Sequence, residues 1–529
     1  MREFDLVVIG AGPGGYEAAL EAAEVYGMRT ALIEKEEVGG TCLNHGCIPA
    51  KALLHSADLY RQAKEGSRFG VEVSDIRLDI NAMQNHKSEV IRQLRDGILF
   101  RLKQQKVQVF RGVGRILNEH AVEVKEIISE EILSDAAAPA AKINKPGTLS
   151  SEPDSHTVTG RPSAEMGEAS GNIVSTRLLD TEYILIAAGS KAVIPPIPGA
   201  DLPGVMDSDA LLDWRGSLFK RLLIIGGGVI GMEFASIYSS LGTEVTVVEA
   251  LPRIIANMDK ELSQSLKMLM KKRNVQIITD ARVTGIRPAE TAQYRPDPSD
   301  IPDPENGNRF SKSVLCCKYE VKGKETGLEA DAILICTGRK PAGGGLFDET
   351  LGIRTEKGRI LTDENGYTGV AGIYAIGDVT GGIMLAHAAA AAGKNAVAHM
   401  NTSAPGPICL KYVPSCIYTD PEIASTGLTL EAAKELGIDA ASHKVLMTAN
   451  GKTVLSGQER GFIKVVFEKN SRKILGAQLM CARASDIVSE FTQAIVHEMT
   501  LKDMAGIIRP HPTFCEAVTD AVSINPGKP

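Results

Sequence analysis

Two cysteines, Cys42 and Cys47, lie close together in the segment GGTCLNHGCIPAK, residues 39–51. Their spacing is compatible with a disulfide, although spacing alone also suits two buried, inert thiols. A zinc site would need two further ligands, and only His45 lies nearby, so we expect no metal. Lys51 and the helix expected from KALLHSADLYRQAKE would stabilise a thiolate, which favours thiol–disulfide chemistry.

A possible acid–base pair lies near the other end of the chain. The segment HPTFCE places His511 five residues before Glu516. Histidine has a pKa suited to taking and returning protons from a thiol, and a carboxylate can fix its tautomer. Taken alone, His511 also suits a surface or packed histidine.

The elements around the cysteines predict a nucleotide-binding unit. A glycine turn follows the apolar run LVVI and precedes a helix. It contains the motif glycines Gly10, Gly12 and Gly15, and also Gly14. In such a turn the glycines allow close approach of a pyrophosphate to the helix N-terminus. Glu34 ends the next strand, where a carboxylate accepts hydrogen bonds from a ribose.

The same pattern recurs in RLLIIGGGVIGMEFASIYSSLGTEVTVVEA, residues 221–250, with Gly226, Gly228 and Gly231. Glu249 ends the second strand of this unit and would repel a 2'-phosphate, which favours NAD over NADP. Arg253 follows closely and could be taken for a ligand of a 2'-phosphate. Glu249 still argues against NADP, because its carboxylate would have to be desolvated beside that phosphate. We therefore expect two dinucleotide sites in one chain.

Composition and charge exclude several classes of protein. The net charge is −7 and no basic cluster occurs, which argues against nucleic-acid binding. The nine cysteines are scattered over 529 residues, which is typical of a reducing compartment. The apolar run near the N-terminus is too short for a signal peptide or a membrane span. We expect a cytoplasmic protein that does not enter a membrane.

The fold predicted from these elements is α/β, with two Rossmann-like nucleotide-binding domains and a C-terminal α+β domain. Two polar stretches, at about 126–176 and 288–310, resemble surface insertions; we expect the first to be mobile and to lengthen a turn between strands. We expect an FAD-binding domain at 1–210 and an NAD-binding domain at 211–337. A central segment at 338–409 would return to FAD, and an interface domain would occupy 410–529.

The cysteine segment closely resembles the redox-disulfide signature of the flavin-dependent pyridine nucleotide–disulfide oxidoreductases. Its CLN and CIP forms resemble the members that oxidise lipoyl dithiols. Further segments match the family in order: AAGS, CTGRKP, IYAIGDV, LAHAAAAAG, PSCIYTDPEIASTG and the terminal HPTFCE. The resemblance covers the chain apart from the two insertions.

This resemblance implies FAD in the first nucleotide site, NAD in the second, and a redox disulfide between Cys42 and Cys47. Cys47 would lie beside the flavin, and Cys42 would exchange with the substrate. Lys51 would lie near the flavin, paired with Glu233. The C-terminal domain would form a homodimer, and the partners would be lipoyl domains of a 2-oxoacid dehydrogenase or glycine-cleavage complex.

The resemblance also assigns residues further along the chain. Asp378 would hold the flavin's ribityl chain, and Gly189 and Ala386 would lie close to the flavin. Val283 and Gly338 would border NAD. His511 and Glu516 would serve the cysteines of the other subunit.

Three positions depart from the family pattern. His45 stands where an apolar residue is usual, Ala50 replaces a serine, and Arg509 replaces a histidine two residues before His511. A related disulfide or metal-ion reductase that uses NAD(P)H is the alternative activity. The vicinal pair Cys316–Cys317 is expected to be an ordinary part of a strand.

Overall fold

The computed structural model describes residues 2–127, 173–289, 314–458 and 461–524. Both predicted insertions lie mainly outside these ranges, but the strands on each side of the first one are described. These strands pair antiparallel from Ala121 opposite Asp180 to Ile127 opposite Ile173. The first insertion therefore connects two neighbouring strands of one sheet.

The first nucleotide-binding unit consists of β1 (Phe4–Ile9), α1 (Pro13–Tyr26) and β2 (Thr30–Glu34). Nearly all of β1 is buried, as expected for a strand inside a parallel sheet. Proline suits the first position of α1, and the helix ends at Gly27, whose φ of 65° is left-handed. The local sequence thus defines both ends of this helix.

The cysteines lie within two successive helices, α2 (Gly40–His45) and α3 (Cys47–Lys64). We expected the pair to precede a helix, whereas Cys42 lies inside α2 and Cys47 is the first residue of α3. Pro49 does not prevent this earlier start, because the first turn of a helix has no intrahelical N–H bond for proline to remove.

The elements that follow α3 are α4 (Ile80–Gln104), β3 (Gln108–Asn118), β4 (Ala121–Ile127), β5 (Ile173–Ile186), β6 (Ser190–Ala192), β7 (Val205–Met206) and α5 (Ser208–Leu212), of which β7 joins the sheet of the second nucleotide-binding region. The second nucleotide-binding region comprises β8 (Arg221–Ile225), α6 (Val229–Leu241), β9 (Glu244–Val248), α7 (Lys260–Lys272), β10 (Gln276–Ile278), β11 (Ala281–Pro288), β12 (Leu315–Val321), β13 (Lys324–Ala330) and β14 (Ala332–Ile335). The chain then returns through β15 (Arg339–Pro341), β16 (Thr355–Glu356), β17 (Arg359–Ile360), β18 (Ile373–Ala375) and α8 (Ala386–Thr402).

Each nucleotide-binding region contains a parallel sheet. In the first, β1 lies between β2 and β5, β3 flanks β2, and β18 flanks β5. In the second, the order is β10-β9-β8-β14-β7. The glycine turns follow β1 and β8, at the carboxyl ends of central strands, where ligands bind in open α/β sheets.

The C-terminal region contains β19 (Ser415–Ile417), β20 (Glu422–Gly427), α9 (Leu430–Glu435), β21 (Ala440–Leu446), α10 (Gly451–Leu455), β22 (Phe462–Glu468), β23 (Ile474–Cys481), α11 (Ala484–Val496), α12 (Leu501–Ala505) and α13 (Glu516–Val522). Its antiparallel sheet has the order β19-β20-β23-β22-β21, and α11 and α13 share an apolar core with it. This topology confirms the predicted fold class. No helix within the described ranges is both long and apolar enough to cross a bilayer.

Candidate active site

The first glycine turn has the shape that a bound pyrophosphate requires. Gly10 has a φ of 102°, and a Cβ on Gly15 would lie 1.8 Å from the carbonyl oxygen of Gly10. At Gly12, by contrast, a Cβ would meet no described atom within 4 Å. Gly12 precedes α1 and provides no side-chain cap, so the N–H groups of the first helical turn are available to an anion.

The carboxylate of Glu34 supports this turn directly. It accepts hydrogen bonds from the backbone N–H of Ala11 at 2.7 Å and of Glu36 at 2.9 Å. Burial raises the pKa of Glu34, and the two N–H donors oppose that rise. The residue predicted to hold a ribose therefore also holds the glycine turn in place.

Gly14 lies on the packing side of α1, where a Cβ would be 2.6 Å from the side chain of Ile376. Ala386 begins α8, which packs against α1. Gly189 is left-handed, with a φ of 72° and open space at its Cβ position. Gly14 thus permits helix packing, whereas Gly189 faces open space.

Asp378 accepts a hydrogen bond from Ser190 Oγ at 2.5 Å. Arg339 donates to the same Oγ and to the carbonyl of Ser190, each at 2.8 Å. Ser190 and Arg339 were not among the predicted site residues, although both belong to segments that match the family. Together they orient the carboxylate predicted to hold the ribityl chain.

The cysteine helices are attached to the first glycine turn. The backbone N–H of Gly39 donates to the carbonyl of Ala11 at 2.8 Å, and a Cβ on Gly40 would lie 2.7 Å from Gly12 Cα. Asn44, which the sequence analysis also missed, donates to three carbonyls around the start of α2, including that of Gly40 at 3.0 Å. Close backbone contact therefore positions the cysteines beside the nucleotide loop.

Cys42 and Cys47 are both thiols in this structure, and their side chains interact. The hydrogen bond with Cys42 lowers the pKa of Cys47 to about 7, and the positive charge of Lys51 acts in the same direction. The same interaction and burial raise the pKa of Cys42. Of the two thiols, Cys47 is the one that ionises near neutral pH.

The expected ion pair between Lys51 and Glu233 is present, with Nζ–Oε distances of 2.8 and 2.9 Å. The backbone N–H of Tyr418 donates to Glu233, and Lys51 Nζ lies 4.5 Å from the centroid of the Tyr418 ring. Tyr418 was not among the predicted site residues, although it belongs to the matching segment PSCIYTDPEIASTG. Because Lys51 lies one turn after Cys47 on α3, both groups lie on one face of the helix.

The second glycine turn repeats the geometry of the first. Gly226 has a φ of 115°, a Cβ on Gly231 would lie 2.0 Å from the Gly226 carbonyl oxygen, and Gly228 has open space. Glu249 accepts hydrogen bonds from the N–H groups of Gly227 at 2.6 Å and Leu251 at 2.7 Å. The turn is therefore shaped for a second dinucleotide.

Three further residues discussed for the second nucleotide site, Arg253, Gly338 and Val283, differ in their surroundings. Arg253 donates to the carbonyls of Met258 and Ala256, at 3.0 and 2.6 Å, so its guanidinium is engaged by the chain itself. Gly338 has a φ of 135° with open space at its Cβ position. Val283 is half-buried on β11 and packs against the apolar cluster behind the second sheet.

His511 Nδ1 lies 2.8 Å from Glu516 Oε1, and Glu516 also accepts from the N–H of Thr513 at 2.8 Å. The Thr513 N–H and then His511 lower the pKa of Glu516, which keeps it ionised. The His511 side chain is 78% exposed, and within the described residues no hydrogen bond joins it to Cys42 or Cys47. The hydrogen bonds described within one chain therefore pair the histidine with Glu516 and not with either cysteine.

The vicinal cysteines Cys316 and Cys317 lie on a strand, as the sequence predicted. Cys316 and Cys317 are consecutive on β12, so their side chains point to opposite faces of the sheet. Burial raises the pKa of Cys317 to about 12. Cys515 packs against the C-terminal core. In the described part of the chain, no three His, Cys, Asp or Glu residues are grouped to hold a metal.

Two nucleotide-binding turns and a thiol pair in which the pKa of Cys47 is lowered define a dithiol–disulfide oxidoreductase that uses two dinucleotide cofactors. Residues 4–393 match the pyridine nucleotide-disulphide oxidoreductase family, and residues 413–522 match the dimerisation domain of that family. The chain belongs to this family. It is an FAD-dependent oxidoreductase linked to NAD, and the dimerisation domain supports a homodimer.

Curated relatives match over nearly the whole chain. A dihydrolipoyl dehydrogenase of Bacillus subtilis (strain 168) is 35% identical, with 99% of this chain and 98% of that protein covered. Mitochondrial dihydrolipoyl dehydrogenase of Pisum sativum is 32% identical, with 100% and 92% covered. Among solved structures, the Cu(II) complex of the HOCl-induced flavoprotein disulfide reductase RclA from Escherichia coli is similar, with a TM-score of 0.76, 25% identity and 99% of each chain covered.

Proposed function

We propose that this protein is a dihydrolipoyl dehydrogenase that oxidises protein-bound dihydrolipoamide to lipoamide and reduces NAD. The observation that carries the proposal is the attachment of the Cys42–Cys47 helices to the first glycine turn, with the pKa of Cys47 lowered to about 7. A dithiol pair in that position can pass electrons between a sulfur substrate and a nucleotide cofactor. The full-length likeness to dihydrolipoyl dehydrogenases supports this substrate.

The residues present fit both cofactors. The turn at Gly10–Gly15 with Glu34 would hold FAD, together with Asp378, and the turn at Gly226–Gly231 with Glu249 would hold NAD. Bound FAD would accept an electron pair from the reduced cysteines, and NAD would accept hydride. Lys51 stabilises negative charge on Cys47, and the ion pair with Glu233 holds the Lys51 ammonium in place.

Substrate oxidation begins with proton transfer. The partner subunit's His511 accepts the proton of a dihydrolipoyl thiol at Nε2, while Glu516 holds the imidazole through Nδ1–H. The substrate thiolate attacks Cys42 Sγ, the Cys42–Cys47 bond breaks, and Cys47 leaves as the thiolate that Lys51 stabilises.

The second substrate thiol completes the exchange. It loses its proton to solvent and attacks the substrate sulfur that is bonded to Cys42, which closes the lipoamide disulfide. Cys42 leaves and takes the proton stored on His511. Two cysteines are reduced and one dithiol is oxidised, so the electrons balance.

The proposed partners are lipoyl domains of a 2-oxoacid dehydrogenase or glycine-cleavage complex, and the proposed compartment is the cytoplasm. Both follow from the substrate and from cysteine usage suited to a reducing environment. A homodimer fits the proposal, because the resemblance assigns His511 and Glu516 to the cysteines of the other subunit and residues 413–522 match the dimerisation domain of the family.

A steady-state assay of the purified holoenzyme tests the proposal. We expect turnover of dihydrolipoamide with NAD to exceed turnover of NADPH with glutathione disulfide, and His511→Gln to lose most of the former. Likeness to a flavoprotein disulfide reductase favours a disulfide or metal-ion reductase as the second candidate. Rapid NAD(P)H oxidation with glutathione disulfide or Cu(II), and none of dihydrolipoamide with NAD, would support that candidate instead.

A further inference from the structure

Arg509 differs from the residues around it by being buried. Only 4% of its side chain is exposed, whereas Ile508 is 96% and the His511 side chain 78% exposed. We propose that Arg509 is a positioning residue that sets the orientation of the His511–Glu516 pair for proton transfer with a dithiol. This inference rests on the proposed function and adds to it a residue that departs from the family pattern.

The guanidinium joins three elements of the C-terminal region. Its Nε and Nη2 donate to Glu490 on α11, at 3.0 and 2.7 Å. Its Nη1 donates to the carbonyls of Met504 and Ile507, at 3.4 and 3.2 Å, and to Thr519 Oγ1 at 3.0 Å. Because Thr519 lies one turn beyond Glu516 on α13, Arg509 ties the chain before His511 to the helix that carries its carboxylate partner.

The position of the His511 imidazole depends on hydrogen bonds that hold the backbone on either side of it. Since His511 is exposed, packing restrains it little, and its hydrogen bond within the described residues goes to Glu516. Thr513 holds the other side of the segment, by donating to the carbonyl of Pro510 at 2.7 Å and accepting from Asn450 Nδ2 at 2.9 Å. The segment is therefore fixed at both ends, and Arg509 is the fixed point at its start.

Arginine is suited to this position by its shape. Its planar group has five N–H donors, which here reach a carboxylate, two carbonyls and a hydroxyl in different directions. A lysine keeps the charge but lacks the planar guanidinium with its several N–H donors, and a glutamine lacks both. Loss of these bonds would let the segment before His511 shift, and a displacement of about 1 Å at a reacting group can cost about 100-fold in rate.

The test compares the two half-reactions of the full-length holoenzyme. In Arg509→Gln, we expect reduction of the bound flavin by dihydrolipoamide to slow by about 10- to 100-fold. Reduction of the flavin by NADH should be unchanged, because it does not use His511. Arg509→Lys should lie between the wild type and Arg509→Gln. Equal loss in both half-reactions would assign Arg509 a general structural role and overturn the proposal.

A double-mutant cycle tests whether Arg509 acts through the imidazole. Adding Arg509→Gln to His511→Gln should slow the dithiol half-reaction no further, since the group it positions is already absent. The same loss in both backgrounds would contradict the proposal. Lys473→Gln is the matched control, because it removes one cation of an exposed pair with Glu498 in the same domain and should behave as the wild type.

Hydrogen exchange gives a result that does not depend on the substrate. Backbone amides of residues 507–516 should exchange faster in Arg509→Gln than in the wild type or Lys473→Gln. Unchanged exchange there would refute the positioning role even if activity fell. A wild type that fails to oxidise dihydrolipoamide would refute the proposed function, and the exchange data would still decide the role of Arg509.

Discussion

Cys47 is the residue whose chemistry depends most on its neighbours. An isolated cysteine ionises well above neutral pH, whereas Cys42 and Lys51 together lower the pKa of Cys47 to about 7. The pKa of Cys42 moves upward instead. The pair is therefore asymmetric, with one thiol ready to carry negative charge and the other ready to carry a proton.

The ionisation of Cys47 can be measured by alkylation of the reduced protein. Because only the thiolate reacts, we expect the iodoacetamide rate at Cys47 to rise with pH through a midpoint of about 7. Cys42→Ala and Lys51→Met should each move this midpoint upward, with the larger change for Cys42→Ala. Lys64→Met, at the exposed end of α3, should leave it unchanged. A wild-type midpoint near that of free cysteine would contradict this account.

At the scale of elements, the two glycine turns combine crowded and open positions. At Gly231 the site of a Cβ is filled by the Gly226 carbonyl oxygen, which is backbone and cannot move aside. At Gly228 the same site is open. The first glycine turn has the same contrast between Gly15 and Gly12.

This contrast predicts different results for two alanine variants. Gly231→Ala should destabilise the protein by about 3 kcal/mol, the upper part of the range for overpacking. Gly228→Ala should fold with the thermal stability of the wild type but bind NAD more weakly, because its methyl group lies on the open side of the turn. Thermal unfolding and NAD titration measure the two effects. Equal stability of the two variants would show that the turn is less rigid than the structure indicates.

At the scale of the whole molecule, α3 is held by carboxylates from two other regions. Glu233 of α6 holds Lys51, and Asp420 of the C-terminal region accepts hydrogen bonds from Arg61 of α3 and from Arg273, the latter at 2.9 Å. Arg273 follows α7 of the second nucleotide-binding region. The helix that begins at Cys47 is therefore fixed relative to both neighbouring regions.

Removing the central carboxylate should destabilise this arrangement. Asp420→Asn removes the carboxylate that the mostly buried Arg61 and Arg273 share, although Arg61 keeps Asp58 and Glu65 as partners. We expect a loss of about 2 kcal/mol in the free energy of unfolding, the size of a hydrogen bond to a charged group. Urea unfolding measures the change. Glu89→Gln, which breaks an exposed pair with Arg92, should have little effect. A comparable loss in the two variants would mean that burial does not strengthen the Asp420 cluster.

The first insertion is predicted to be dispensable. The register of β4 and β5 places residues 127 and 173 opposite each other, so a short turn can join the two strands. Replacing residues 130–172 with such a turn should leave FAD content and thermal stability unchanged. Absorbance of the bound flavin and thermal unfolding measure both. Loss of FAD from the shortened protein would show that the insertion contributes to the cofactor site.

Short-range patterns in the sequence were sufficient for the elements and for much of the site. A glycine turn between a strand and a helix depends on neighbouring residues, and so does the spacing of Cys42 and Cys47, although their positions on two consecutive helices were not predicted. For the same reason, the His511–Glu516 pair could be predicted from a six-residue segment. The helix was predicted to follow the cysteine pair, whereas α3 begins at Cys47, because Pro49 is compatible with a first helical turn.

Contacts between distant segments were decided by the tertiary structure. No local pattern indicates that Tyr418 lies against Lys51, that Ser190 and Arg339 hold Asp378, or that Arg509 joins α11 to α13. The sequence by itself determined which groups can ionise, turn the chain or approach a phosphate, since these properties belong to residue types and short spacings. The packing of the sheets and helices decides which of these groups become neighbours. Those neighbours set the pKa and the orientation of each group, so only the folded chain specifies them.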